Sequence, residues 1–271
     1  MNFFEKVLYF LQGQMETPKP YGWFHLTCIA LVIAALFILY LLRKKHSDKQ
    51  LKIILGVYGI TAFTLELLKQ LIWSFNYDEV TKVITWDYQW YSFPFQLCTT
   101  PIFISIMCLF LKNNKLRKSL LSYMAFVTIL GSIATIFMPD TCFTRDILIN
   151  IHTMWLHLGS FVVSVYLLMS KEVEINFKNF KSAIKVFLVF VLIAEILNIV
   201  IYNIGILNGE TFNMFFISPY FNSTLPVFSI IQPKVPYPLY LLIYIVILIL
   251  CSLIIYLISF IIKKLSIRLH R

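Results

Sequence analysis

Long apolar stretches separated by short polar segments dominate the pattern of residues along this chain. A helix needs roughly 20 apolar residues to cross about 30 Å of hydrocarbon. Seven stretches meet or approach this length, at residues 22–43, 52–75, 94–111, 116–138, 147–170, 182–206 and 237–262. They are unbroken runs, whereas barrel strands alternate polar and apolar residues over about ten positions. The pattern predicts an all-α, polytopic membrane protein with seven transmembrane helices, the third of them short.

Three segments flank or interrupt this predicted transmembrane domain of residues 22–262. Residues 1–21 carry an apolar patch that is too short to span, which favours an interfacial segment. Residues 209–236 are too polar and too rich in proline to span, yet keep apolar side chains. They predict either an outer loop or a re-entrant lid. Residues 263–271 form a basic tail.

Charge sets the predicted orientation. The composition is 59% hydrophobic and 13% charged, which is too apolar for a soluble surface. The net charge of +10 follows topology rather than nucleic-acid binding, because cytoplasmic loops collect Lys and Arg. Alternate segments hold 17 of the 23 basic residues: Arg43, Lys44, Lys45, Lys49, Lys52, Lys112, Lys115, Arg117, Lys118, Lys171, Lys178, Lys181, Lys185, Lys263, Lys264, Arg268 and Arg271.

The segments between them are acidic, with Asp78, Glu79, Asp87, Asp140 and Asp146. The positive-inside rule therefore predicts an N-terminus outside and a C-terminus in the cytoplasm, with no nucleic-acid partner. Frequent Ile, Lys, Asn and Phe suggest an AT-rich bacterial genome and hence a bacterial plasma membrane. The sequence gives no oligomeric state.

The cysteines exclude the usual metal and disulfide patterns. The five cysteines form no CxxC pair and no metal-type spacing, and only Cys142 falls in a predicted outer loop. We therefore predict no metal, no cofactor and no disulfide framework. A redox pair of Cys98 and Cys142 stays open as a minor alternative.

Polar residues interrupt four predicted spans at a common depth. Ionisable groups within a membrane are costly and persist mainly where they face a protein interior or a watery cavity. The directions of the spans bring to one level Glu66, Lys69, Gln96, Cys98, His152, His157, Glu195 and Asn198. This convergence predicts a buried polar cavity open toward the outer leaflet, which His25 near the start of the first span can join.

Several of these residues also have a structural interpretation. Glu66 and Lys69, three residues apart on a helix, can simply neutralise each other. Glu195 can do the same for a histidine, and His152 can be an interhelical hydrogen-bonding residue. His157 is deeper and harder to explain as a surface group.

Cys98 alone resembles a buried, inert thiol. However, Pro94 and Pro101 bracket it at the start of a predicted span. A thiolate near a helix N-terminus and a histidine is activated as a nucleophile. This setting favours a catalytic interpretation of Cys98.

Several motifs carry a family resemblance. Residues 93–98, Phe-Pro-Phe-Gln-Leu-Cys, resemble the Leu-Pro-Leu-His-Leu-Cys signature of bacterial YwaF-like integral membrane proteins. Residues 155–159 resemble the histidine motif of their fifth span, and residues 22–26 resemble the start of their first. The stretch from Asn213 to Tyr240 is similar to the segment before their last helix. The resemblance covers roughly residues 22–262.

This family is related to the eukaryotic transmembrane-164 family, whose members are phospholipid acyltransferases that use a cysteine thioester; a similar membrane-hydrolase family cleaves fatty-acid esters. The resemblance implies a cysteine-dependent acyltransferase or acyl hydrolase acting on phospholipids or other acyl lipids. Gln96 departs from the pattern, because bacterial relatives carry histidine there. Base duty then passes to His157, His152 or His25.

The resulting hypothesis gives each residue a role. Cys98 attacks the ester and His157 exchanges the proton. Glu195 orients a histidine, and the predicted oxyanion donors are Gln96, Asn198 and Thr99. The other predicted substrate-binding residues are Glu66, Lys69, Asn213 and His25.

Two alternatives belong to other classes. A proton- or ion-coupled transporter or lipid-binding protein would use Glu66, Lys69, His157 and Glu195 as an intramembrane relay, although no internal repeat is evident. An accessory subunit would use the same residues only as contacts between helices.

Overall fold

The computed structural model describes residues 1–139 and 142–269, with side chains of the last helix described to residue 265. Asp140 and Arg271, used above for topology, lie outside the described residues, as does the side chain of Arg268. The helices are α1 (Phe3–Leu11), α2 (Trp23–Leu42), α3 (Asp48–Ser74), α4 (Thr100–Phe110), α5 (Lys115–Tyr123), α6 (Ile129–Phe137), α7 (Ile147–Met169), α8 (Phe177–Ile204), α9 (Pro226–Ile231) and α10 (Tyr237–Leu269). A small antiparallel hairpin pairs β1 (Phe75–Tyr77) with β2 (Ile84–Trp86).

Six helical stretches are long and apolar enough to cross a membrane. They are Trp23–Lys45, Asp48–Ser74, Lys115–Phe137, Ile147–Met169, Phe177–Ile204 and Tyr237–Leu265. A helix satisfies its own backbone hydrogen bonds, so it can lie in hydrocarbon without unpaired polar groups. The described residues thus form a multi-pass membrane protein with an all-α architecture, apart from the one hairpin.

The third predicted span, residues 94–111, is the exception. Only α4 is helical there, and its 11 residues extend roughly 16 Å, about half the hydrocarbon thickness. Proline is the physical reason. Pro94 favours an extended conformation at Phe93, which has ψ 134°, and Pro101 lies in the first turn of α4, where it is tolerated. Residues 1–139 and 142–269 therefore contain six candidate spanning helices, not seven.

Contacts nevertheless fix the path of this short segment. Near the end of α3, Gln70 Nε2 donates to the Ser92 carbonyl at 2.7 Å. At the start of α3, Asp48 Oδ1 lies 2.6 Å from Arg117 Nη1. The chain between Ser92 and Arg117 therefore runs back along the whole length of α3.

The basic segments lie at one end of the molecule. His46, after α2, lies 3.1 Å from Glu172, after α7. Lys263, late in α10, donates to the Ile175 carbonyl at 3.4 Å. The Asp48–Arg117 pair joins the remaining basic segment to the same end. This clustering agrees with the alternation of charge in the sequence.

The interior of the bundle is built around a π-helical turn, Met124–Thr128, that joins α5 to α6. All five of its residues are buried, and Ser164 Oγ donates to the Met124 carbonyl at 2.8 Å. A π-turn loosens the regular backbone ladder and can leave a carbonyl for such a bond. α2 is peripheral by contrast, with only His25 and Val32 buried.

The close approach of α3 to α4 depends on Gly59. A Cβ placed there would lie 2.9 Å from Ser105 Cβ and 3.3 Å from the Ile106 backbone nitrogen. Small residues permit this kind of helix contact in membrane proteins. We expect Gly59→Ala to lower the free energy of unfolding by about 1–3 kcal/mol through overpacking, seen as a lower melting temperature in detergent.

Gly56→Ala is the matched control for this prediction, since a Cβ there would meet only the Leu109 side chain at an ordinary 3.6 Å. Both changes gain the same helix propensity. If the Gly59 and Gly56 variants melt at the same temperature, the close approach does not limit stability.

Candidate functional site

One face of α7 lines a polar cavity. The face consists of Ile149, His152, Thr153, Leu156 and His157. These positions recur every three or four residues, as expected for one face of a helix. His152 and His157 are five residues apart, so their Cα atoms are separated by about 7.5 Å along the helix axis. Both imidazoles therefore reach the same cavity at different depths.

The cavity has a volume of about 730 Å³ and mixed polar and apolar walls. Its other walls come from α3, from the chain before α4 and from the segment after α8. The structure brings together seven of the predicted site residues here: Lys69, Gln96, Cys98, Thr99, His152, His157 and Asn213. Four predicted residues do not line it: Glu66, Glu195, Asn198 and His25.

Glu66 lies behind the cavity wall and holds two of the lining residues. Its carboxylate is only 2% exposed. Oε1 lies 2.6 Å from Lys69 Nζ and accepts from Gln70 Nε2 at 2.8 Å, while Oε2 lies 2.8 Å from His152 Nε2. The ion pair proposed from the i, i+3 spacing is present, but it has His152 as a third member. Buried charges persist when they are paired in this way.

The other histidine has a neutral partner. His157 is half-buried and lies against the backbone of Gly131 in α6, where an added Cβ would lie 3.7 Å from Nδ1. The two histidines thus differ in chemistry, because one faces a carboxylate and the other a peptide group.

Cys98 lies in a fixed turn directly before α4. Thr99 Oγ1 accepts from the Gln96 backbone N–H at 2.8 Å and donates to the Gln96 carbonyl at 3.0 Å. The Thr99 N–H bonds the same carbonyl at 3.0 Å. The thiol is therefore presented by a rigid turn, while the hydroxyl proton of Thr99, a predicted oxyanion donor, is already used within it.

Gln96 and Asn198 both bind the backbone of residues 213–215. Gln96 donates to the Asn213 carbonyl at 2.9 Å and accepts from the Phe215 N–H at 2.7 Å. Asn198 donates to the Met214 carbonyl at 3.1 Å and accepts from its N–H at 2.7 Å. Each side-chain amide thus already donates one hydrogen bond to the protein. In the structure both amides hold this segment, and their role as oxyanion donors stays a prediction.

The segment that they hold is strained. Phe215 and Phe216 have positive φ angles of 57° and 58°, which side-chain-bearing residues rarely adopt and which the surrounding structure must stabilise. The hydroxyl of Tyr240 donates to the Phe216 carbonyl at 2.7 Å. The Phe215 side chain is fully buried. This turn therefore depends on hydrogen bonds from the turn before α4, from α8 and from α10.

Residues 209–236 form an ordered roof over the cavity. Asn213 Oδ1 accepts from the Ser218 N–H at 2.8 Å, and its Nδ2 donates to the carbonyls of Phe221 and Asn222 at 3.2 and 3.1 Å. The roof lines the cavity with Thr211, Asn213, Phe216, Phe221, Asn222 and Thr224. Its packing fits the lid hypothesis; re-entry into the membrane stays a prediction.

Two predicted residues lie elsewhere. Glu195 is half-buried on α8 and lies near Tyr237. The carboxylate that bonds a cavity histidine among the described residues is that of Glu66. The reason is rotational: Glu195 faces the start of α10, not α7. His25 accepts from the Tyr21 N–H at 3.2 Å and packs edge-on against Phe143.

The sequence reasoning missed several lining residues. Tyr91 and Trp73 line the cavity, and Lys69 Nζ lies 5.6 Å from the Trp73 ring centre. Tyr91 lies outside the candidate spans; partial burial, with carboxylates nearby, raises the pKa of its phenol. It therefore stays a neutral hydrogen-bond donor. Aromatic residues next to the acidic hairpin gave no signal that separated them from ordinary interfacial residues.

A second, apolar groove lies on the other face of α7. Its volume is about 790 Å³, and its walls come from α2, α3 and α7. Ile151, Met154, Trp155 and Leu158 of α7 line it, whereas their neighbours along the helix line the polar cavity. Tyr58 of α3 also lines it and donates to the Leu156 carbonyl at 3.0 Å. α7 thus separates a polar site from an apolar one.

Among residues 1–139 and 142–269, no three His, Cys, Asp or Glu side chains are arranged to hold a metal ion. The polar cavity offers nucleophilic, basic and cationic side chains instead. The fold and this site define a multi-pass membrane protein with a thiol and two imidazoles lining one cavity.

Comparison with known proteins assigns the family. The model of the TMEM164 family matches residues 20–256. Since this match covers most of the chain, the protein belongs to the TMEM164 family, which confirms the relation indicated by the motifs. Neither a search of curated proteins nor a search of solved structures found a match.

Proposed function

We propose that this protein is a lipid acyltransferase or acyl hydrolase with Cys98 as its nucleophile. The observation that carries the proposal is that Cys98, His152 and His157 line a single cavity. A thiol needs a base to generate the thiolate, and the same group must return a proton to the leaving group. Membership of the TMEM164 family supports this reading.

The first half-reaction transfers an acyl group to the enzyme. His157 takes the proton of the Cys98 thiol, and the sulfur attacks the carbonyl carbon of an acyl ester. The C–O bond of the ester breaks, the alcohol leaves with the proton from His157, and a thioester stays on Cys98. Lys69, a cation on the cavity wall, is suited to bind the negative charge of a lipid headgroup.

The apolar groove, which lies on the face of α7 opposite the polar cavity, suits the acyl chain. Its lining is almost entirely aliphatic and aromatic, and burial of each CH₂ group stabilises a bound chain by about 0.8 kcal/mol. Helix α7 therefore lies between a polar site and an apolar site. This arrangement suits a phospholipid, which has a polar ester and a long apolar tail.

We further infer that the chain crosses the membrane seven times. The segment from Ser92 to Arg117 returns along α3, with α4 protected by surrounding helices. Non-helical backbone is tolerated at membrane depth when it is buried in protein. With the basic end in the cytoplasm, the N-terminus lies outside, the cavity opens in the outer half of the bilayer, and 263–271 form a cytoplasmic tail.

Intact-protein mass spectrometry tests the proposal. Purified wild type, incubated with mixed phospholipid vesicles, is expected to carry a fatty-acyl mass increment that hydroxylamine removes. Cys98→Ala should carry none, while Cys251→Ala, a half-buried cysteine of α10, should behave as wild type. An increment that survives Cys98→Ala would exclude Cys98 as the acyl carrier.

A second candidate is proton- or ion-coupled transport or lipid binding by the Glu66, Lys69 and His152 network. The observation in its favour is the burial of these ionisable groups within the helices. In that case wild type should take up no acyl group. Flux into proteoliposomes should then survive Cys98→Ala and fail in Glu66→Gln.

A further inference from the structure

The polar cavity contains two histidines where acylation of Cys98 needs only one. His157 lies against the peptide backbone of Gly131, whereas His152 Nε2 lies 2.8 Å from the buried carboxylate of Glu66. His152 is itself only 4% exposed. A carboxylate only accepts hydrogen bonds, so the Nε2 proton of neutral His152 points to Glu66 and leaves Nδ1 as the basic nitrogen.

The surroundings of His152 support this assignment of its tautomer. In the part of the chain that the structure describes, Glu66 is the hydrogen-bond partner of His152, and no bond to Nδ1 is present. Glu66 is fixed in turn by Lys69 at 2.6 Å and by Gln70 at 2.8 Å. Glu66 therefore fixes the imidazole of His152 through Nε2. Its ring lines the cavity, and its basic nitrogen, Nδ1, has no hydrogen bond to the described residues.

We propose that His152, positioned by Glu66, is the base of the second half-reaction, in which an alcohol accepts the acyl group from Cys98. This inference rests on the proposed function and assigns its acceptor to the class of lipid alcohols, such as the free hydroxyl of a lysophospholipid. Lys69 neutralises Glu66 and lines the cavity where an acceptor phosphate would lie. Glu66 is a positioning residue, since it lies behind the wall.

The second half-reaction balances with these groups alone. His152 Nδ1 takes the proton of the acceptor hydroxyl, and the oxygen attacks the thioester carbonyl carbon. The C–S bond breaks, a new C–O ester bond forms, and the Cys98 sulfur receives the proton from His152. The products are an acylated lipid and the free thiol. No oxidant, reductant or further reactant enters.

The positions of His157 and His152 explain why each half-reaction uses its own base. The leaving alcohol of the donor and the incoming alcohol of the acceptor carry different groups. His152 and His157 lie about 7.5 Å apart along α7, so they address different positions around the Cys98 thioester. A purely structural Glu66–His152 contact would instead affect folding, without separating one half-reaction from the other.

A p-nitrophenyl ester of a medium-chain fatty acid separates the two steps. Release of p-nitrophenol reports acylation of Cys98, and intact mass reports the thioester. Addition of a lysophosphatidylcholine then starts the transfer, which mass spectrometry of the lipid product follows. We expect His152→Gln to acylate at close to the wild-type rate but to transfer roughly 10²–10⁴-fold more slowly, the usual contribution of general base catalysis. The thioester therefore accumulates.

Matched variants complete the experiment. His157→Gln should lose acylation itself, which is the opposite pattern. The double variant Glu66→Gln, Lys69→Met keeps the His152 ring without its ionic support. With monoacylglycerol as the acceptor, which has no phosphate for Lys69 to bind, it should also slow transfer while acylation persists. It serves as the independent test should His152→Gln fail to elute as a folded protein in size-exclusion chromatography.

The outcomes separate the two proposals. Transfer at the wild-type rate in either the His152 variant or the double variant, with a normal thioester, overturns the role of the Glu66–His152 pair and leaves Cys98 chemistry intact. Equal loss of acylation and transfer in a folded His152→Gln also overturns it. Absence of a thioester in wild type overturns the proposed function, and this inference with it.

Discussion

Replacement of Glu66 by alanine is expected to lower the free energy of unfolding by about 3–5 kcal/mol, the usual cost of breaking a buried ion pair from one side. The reason is the buried ammonium of Lys69, which loses its carboxylate partner. Lys69 is 8% exposed and takes Glu66 as its carboxylate partner at 2.6 Å. Without Glu66, its ammonium keeps, among the described residues, the Ser92 carbonyl at 3.2 Å and the more distant ring of Trp73.

The same change removes the partner of two further polar groups. His152 Nε2 and Gln70 Nε2 both bond the Glu66 carboxylate. Gln70 keeps its bond to the Ser92 carbonyl at 2.7 Å, but His152 has no other partner among the described residues. An unsatisfied buried polar group costs about 1–3 kcal/mol. The network therefore acts as one unit.

Equilibrium unfolding in mixed detergent micelles measures this effect. Glu174→Ala is the control, because Glu174 is exposed and surface changes usually stay within about 0.5 kcal/mol. The double variant Glu66→Ala, Lys69→Met should recover part of the loss, since it removes the unpaired charge. If Glu66→Ala is no less stable than the control, the ion pair does not contribute as the contacts indicate.

The spans were largely predictable because each depends on local residues. The predicted spans 147–170 and 182–206 correspond to α7, Ile147–Met169, and α8, Phe177–Ile204. An unbroken apolar run must be helical in hydrocarbon whatever surrounds it. The segment 94–111 could not be predicted as well, because its path depends on the helices that cover it and on two prolines that end regular structure.

For the site, the sequence indicated depth but not rotation. Counting residues along spans of predicted direction brought Glu66, His152 and His157 to one level, and the structure places both histidines in one cavity. Whether a carboxylate meets a given histidine depends on how each helix is rotated about its axis. That rotation depends on helix packing and is not encoded locally, so the sequence did not separate Glu195, which was predicted to orient a histidine, from Glu66, which lies 2.8 Å from His152.

The roles of the two amide side chains were also beyond the sequence. Gln96 and Asn198 contact residues that are 119 and 16 positions away. Their partners are backbone groups, which every residue possesses, so no side-chain type in residues 213–215 marks the contact. A polar residue within a span indicates that something is bound there. It does not tell a substrate from a neighbouring loop.

Asn198→Leu is expected to destabilise the protein by roughly 2–4 kcal/mol, because Leu has the same number and branching of side-chain heavy atoms as Asn but cannot form its two hydrogen bonds. The N–H and carbonyl of Met214 would be left without these bonds in a fully buried position, at about 1–3 kcal/mol for each unsatisfied group. The strained Phe215 and Phe216 would also lose support.

Two measurements distinguish the effect of Asn198→Leu from that of an ordinary surface substitution. Asn203→Leu is the control, since Asn203 lies on the same helix but is exposed. Unfolding in mixed micelles should show the loss only for Asn198→Leu. Because the turn forms part of the cavity roof, maleimide should also label Cys98 faster in that variant. Equal stability and equal labelling in the two variants would contradict a holding role.

Combining Asn198→Leu with Gln96→Leu tests whether both amides support one element. Each binds the backbone of the same three-residue stretch from a different helix or turn. If the first substitution already releases the turn, the second has less left to disrupt, so the combined loss should fall short of the sum by at least about 0.5 kcal/mol. Strict additivity would mean that Gln96, in the turn before α4, and Asn198 of α8 hold the roof independently, and that residues 213–215 do not move as a unit over Cys98.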